Sequence, residues 1–138
     1  MTDRKERPTE RAVKARIKSV IDLYGRYNEL YTLCPMTMGY GESGSPDRLL
    51  LINGRLIGIE AKRDGANAHD NPSRKPTRSE AAQKIKAGEI RAAGGEWVCV
   101  NSATVGKLVA LIDSFALHGL RTFTAPDKAK LAKLVGEG

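Results

Sequence analysis

Residues 45–63 read SPDRLLLINGRLIGIEAKR, two apolar runs on either side of an Asn-Gly pair. Such a pair between apolar runs marks a two-residue β-hairpin turn, whose central residues both take positive φ. With Asn53 and Gly54 at those positions the register is set: Ile52 faces Arg55, Leu51 faces Leu56 and, further out, Asp47 faces Glu60. Directly opposed residues of antiparallel strands hold their Cβ atoms about 4.5–5.5 Å apart on one face of the sheet. Lys62, two residues beyond Glu60, points to that same face.

Two carboxylates so placed repel, and folding alone gives no reason to keep them. Three accounts fit the pattern. The strand ends splay and both groups are solvated, or Lys62 neutralises one of them in an ordinary ion pair. In the third, a hard divalent cation such as Mg²⁺ sits between the carboxylates and keeps several waters. The third gives the lysine a role, because an ammonium beside a metal-bound water stabilises charge developing on a phosphate. Asp47, Glu60 and Lys62 on one face of one hairpin are a minimal kit for phosphodiester hydrolysis.

Working outward, residues 1–8 form a basic arm, and Thr9 caps a helix to about Tyr24 with Val13, Ile17, Val20, Ile21 and Tyr24 on one stripe. LYTLCPMTM (30–38) reads as a short strand or extended piece, followed by a Gly/Pro-rich loop, GYGESGSP (39–46). Arg63 to Lys75 is polar and reads as a loop; Thr77 and Glu80 form a capping box for a helix that Gly94-Gly95 stops near Ala93. EWVCVNS (96–102) is a strand, 103–118 an amphipathic helix, and a short basic helix follows Ala125. The pattern predicts an α/β fold with a mixed β-sheet flanked by helices.

The ordered set Glu10, GSPD at 44–47, the NGR hairpin tip, IEAK at 59–62, Gln83 and AAGG at 92–95 resembles the PD-(D/E)xK nuclease superfamily, in particular the small stand-alone VRR-NUC proteins of phages. The resemblance spans about residues 9–101. It implies a restriction-endonuclease-like core of order α-β-β-β-α-β, with 102–138 as a C-terminal helical extension of a single nuclease domain. It also implies Mg²⁺ or Mn²⁺ held by Asp47, Glu60 and the carbonyl of Ala61, with Glu10 as an auxiliary acid for which Glu6 competes. Lys62 would position the attacking water or stabilise the transition state, and Gln83 would face the site. The implied activity is a metal-dependent DNA endonuclease cutting branched or structured DNA, such as Holliday junctions or flaps. Symmetric substrates of that kind would favour a homodimer.

Composition bounds these readings. The 138 residues suffice for one domain without metal or disulfide staples. The formal net charge of +7, from 23 Lys+Arg against 16 Asp+Glu, favours a polyanionic partner. Arg63, Arg74, Lys75 and Arg78 flank the outer end of the hairpin and are candidates for phosphate contacts, the alternative being a solubilising loop. No signal-peptide core or membrane-spanning run occurs, and Cys34 and Cys99 make no C-x-x-C pair, which together predict a cytoplasmic protein. His69-Asp70 lack partner spacing for a metal site, and His118 ends a helix, where a cation suits the dipole. Cys99 and Trp97 read as core, and no aromatic platform is visible, which argues against single-strand stacking as the main binding mode. Two other classes stay open: a DNA-binding module whose acidic pair is inert, and a structural subunit whose charge is incidental.

Overall fold

The structure is a computed structural model that describes residues 9–35, 46–62, 78–119 and 121–136. In chain order its elements are α1 (Glu10–Gly25), β1 (Leu30–Leu33), β2 (Arg48–Ile52), β3 (Arg55–Ala61), α2 (Arg78–Ala92), β4 (Glu96–Val100), α3 (Val105–His118) and α4 (Lys128–Gly136). The four strands form one open mixed sheet in the order β1-β2-β3-β4, antiparallel except for the parallel β3–β4 pair.

The hairpin forms as its turn demands. Asn53 has φ 51° and Gly54 φ 81°, the positive values of the two-residue turn. Pairing runs from Ile52 with Arg55 to Arg48 with Ile59, the register read from the sequence. Asn53 does more than turn the chain, for its buried side chain donates to Phe115 O at 3.0 Å and accepts from Arg121 N at 2.7 Å. The Asn53 side chain fills the space that a Cβ on Gly119 would need, so glycine ends α3 by close approach.

Period-two alternation separates two faces of the sheet. Leu50, Ile52, Ile57, Ile59, Ala61, Val98 and Val100 point to one of them and meet the stripes of α1 (Val13, Ile17, Val20, Ile21, Tyr24) and α3 (Val105, Leu108, Ile112, Phe115) in one core. The Tyr24 hydroxyl donates to Asp113 Oδ1 at 2.6 Å, joining α1 to α3; burial and that bond raise its pKa. Thus α3, expected within an extension, supplies the centre of the core. Helix α4 has no buried residue, and lays Leu131, Leu134 and Val135 half-buried against that core.

Helix α2 covers part of the other face. Gly58 lets it close in: a Cβ there would lie 2.8 Å from Trp97 Cε3 and 3.5 Å from Ile90 Cδ1. The helix ends in a Schellman motif, with Gly94 at φ 98°, Gly94 N donating to Arg91 O and Gly95 N to Ile90 O. Thr77, expected as its cap, lies outside the described residues. Beyond the reach of α2, Tyr31, Leu33, Leu51 and Leu56 are exposed on the same sheet. Among the described residues no helix is long and apolar enough to cross a membrane.

Candidate functional site

Backbone pairing of β2 with β3 stops at Arg48–Ile59, and side chains knit the next step. Asp47 N donates to Glu60 Oε1 at 3.1 Å, while Ala61 N donates to Asp47 Oδ2 at 2.8 Å. The two carboxylates expected to face each other therefore do. A residue's N–H and C=O share one edge of a strand, so the Ala61 carbonyl is turned towards Asp47 as well. Lys62 N donates to Val100 O, which fixes the residue after the carbonyl to β4.

Glu60 is buried, at 4% exposure, yet each of its oxygens has partners. Oε2 accepts from Gln83 Nε2 at 2.6 Å and lies 3.4 Å from Lys62 Nζ. Gln83, expected to face the site and contact substrate or water, projects from α2 onto the hairpin carboxylate. Burial, reinforced by the Asp47 charge, pushes the Glu60 carboxyl up to about 7 against the opposing pull of Lys62 and the Asp47 N–H. A buried acid whose pKa is raised beside a second carboxylate in a cleft is the environment in which functional carboxylates are found.

Lys14 was not anticipated. It reaches from α1 to Asp47 Oδ1 at 3.4 Å and to Glu10 Oε2 at the same distance. Partial burial would lower its ammonium pKa, but the charges of Asp47 and Glu10 outweigh that and raise it. Glu10 accordingly joins the site through Lys14, which pairs with it and with Asp47. The one clue in the sequence was the i,i+4 spacing of Glu10 and Lys14 on a helix. Arg78 is exposed at the start of α2; Arg63, Arg74, Lys75, Glu6 and His69-Asp70 lie outside the described residues.

Glu60, Lys62 and Gln83 line a cleft of about 890 Å³ between α2 and β4. Trp97 and Cys99, expected in the core, are half-buried and line this cleft, because the parity of β4 turns Val98 and Val100 inward in their place. A smaller hollow of about 300 Å³ touches Asp47 from the α1 side, with Lys14 and Arg48 in its wall.

The donor set suits one hard cation with most of its water retained: two carboxylate side chains and a backbone carbonyl. Burial first and the Asp47 charge second raise the Glu60 pKa, and a cation beside the carboxylate would oppose both. Among the described residues no group of three acidic, His or Cys side chains could hold a metal on its own. No protein-family model, curated protein or solved structure matches the chain.

Proposed function

We propose that the protein is a metal-dependent DNA endonuclease built on a restriction-endonuclease-like core, with Asp47, Glu60 and Lys62 at its centre. The observation that carries this reading is the buried Glu60 carboxyl, bonded to Asp47 on one oxygen and shared by Lys62 and Gln83 on the other. Mg²⁺ or Mn²⁺, held by Asp47, Glu60 and the Ala61 carbonyl, would supply a water of lowered pKa and stabilise charge on the phosphate. Lys62 orients the attacking water and offers its ammonium to the developing charge. Gln83 holds Glu60 in place from α2, and Lys14 steadies Asp47 from α1. Water adds to phosphorus and gives up a proton to solvent as the bond to the leaving sugar oxygen breaks, and that oxygen takes up a proton from solvent. Branched substrates with two-fold symmetry would suit a homodimer acting inside the cell.

One observation favours a second reading. Lys14 and Lys62 each stand 3.4 Å from a site carboxylate and supply positive charge without a metal. A binding module with an inert acidic pair would keep salt-dependent DNA affinity and cut nothing.

A cleavage panel of duplex, flap, four-way junction and single strand, each with Mg²⁺, Mn²⁺ or EDTA, separates the two. The nuclease reading expects cutting with metal only, reduced about 100-fold or more by Asp47→Ala, the scale on which removing one electrostatic group acts. Failure to cut any substrate with either metal overturns it, and so does metal-dependent cutting by Asp47→Ala at the wild-type rate.

A further inference from the structure

Apart from Glu60, Lys62 and Gln83, the residues that line the cleft are mostly of two kinds. Trp97, Cys99, Ala87 and Ile85 make it apolar, and Ile85 is 66% exposed, an unusual state for a large aliphatic side chain on a helix facing a cleft. Lys84, Arg91 and Lys107 bring positive charge to its lining, where Glu80 is the one carboxylate besides Glu60 among the described residues. Among the described residues Lys84 and Lys107 have no ion-pair partner, and Arg91 donates only to Trp97 O at 3.2 Å. The Trp97 ring is held from behind, packed over Gly58 where not even a methyl group would fit.

From this arrangement we infer that the cleft binds unpaired DNA, with a base stacked on Trp97 and the backbone phosphates on Lys84, Arg91 and Lys107. A double helix presents phosphates outward and keeps its bases stacked inside, so an apolar floor is of no use to it. A splayed single strand offers base faces and phosphates together, which is what an aromatic surface inside a basic rim recognises. The volume of about 890 Å³ falls within the roughly 300–1,000 Å³ of sites that enclose one small ligand, enough for a nucleotide or two. This inference rests on the nuclease reading for its direction: the unpaired strand leads towards Glu60, so the substrate would carry a single-stranded segment beside the cut.

Trp97 is the protein's single tryptophan, so its emission reports this cleft alone. The protein is titrated in EDTA with a short oligothymidylate and with a blunt duplex of equal length. The single strand should quench Trp97 and bind at least five-fold tighter than the duplex. The Lys84→Ala/Arg91→Ala/Lys107→Ala variant, checked for a native far-UV spectrum, should bind it about ten-fold more weakly. Its log affinity against log salt should be shallower by about 2, the value for three lost phosphate contacts on a single strand. Equal quenching by the duplex, binding of the single strand without quenching, absence of any binding, or a triple variant that binds like the wild type would each overturn the inference. A protein that quenches but never cuts keeps this cleft and loses the nuclease reading. One that cuts but never quenches does the reverse.

Discussion

Glu60 carries its carboxyl into a site with 4% exposure and sets it against a second carboxylate. Its pKa of about 7 lies above the ordinary 4.5, so between those values the folded protein holds a proton that the unfolded chain has released. Stability must then fall as pH rises from 4.5 to 7, with the full loss present above 7 and none below 4.5. The loss is on the order of 3 kcal/mol from the pKa difference. Glu60→Gln keeps an oxygen for the Asp47 N–H and does not titrate. Urea midpoints measured from pH 5 to pH 8 should therefore swing in favour of the variant as pH rises; parallel curves would refute the assignment. Mg²⁺ added at pH 8 should stabilise the wild type and leave Glu60→Gln unmoved, since a ligand stabilises only the state it binds.

The β2–β3 hairpin is the element that turns sequence into a site, and Asn53 is its fulcrum. An alanine there would lose one buried and one part-buried hydrogen bond and sit in left-handed backbone; a glycine would lose the bonds alone. Asn53→Gly should cost about 1–3 kcal/mol for the groups left unpaired, and Asn53→Ala about 1 kcal/mol more for the backbone. Denaturant unfolding of both variants checks this, and equal costs would mean the turn conformation carries no weight. The turn also explains what was legible in the chain. Asn-Gly fixes a register without reference to any other element, so the pairing of Asp47 with Glu60 followed from counting. Gln83 was legible only through its resemblance to a motif, because nothing local dictates how α2 rotates over the sheet. Lys14 and Trp97 escaped for the same reason: their roles depend on packing between elements. In β4, where Trp97, Val98, Cys99 and Val100 are all apolar, alternation could not tell the core face from the cleft face.

At the scale of the whole molecule, the question is which parts hold the site's scaffold together. The segment 102–138 was expected as a C-terminal helical extension, and in it Val105, Leu108, Ile112 and Phe115 of α3 are fully or almost fully buried in the large cluster among the described residues. Each such side chain is worth about 1.5–3 kcal/mol of burial. Four together rival the roughly 5–15 kcal/mol by which a whole domain is stable. They also cover Ile57, Ile59 and Val98, the residues whose inward packing keeps Glu60 and Lys62 turned to the cleft. Helix α4 differs, for it has no buried residue, and the Asn28 and Phe123 contacts that anchor the preceding segment lie before it. Deleting residues 103–138 should abolish the cooperative thermal transition. Deleting only 127–138 should lower the melting temperature and keep a single transition, since it strips half-buried Leu131, Leu134 and Val135 alone. Circular-dichroism melts of the two truncations decide the matter. A cooperative transition in the shorter chain would mean that α1 and the sheet form a core without α3, and that the scaffold of the site ends at β4.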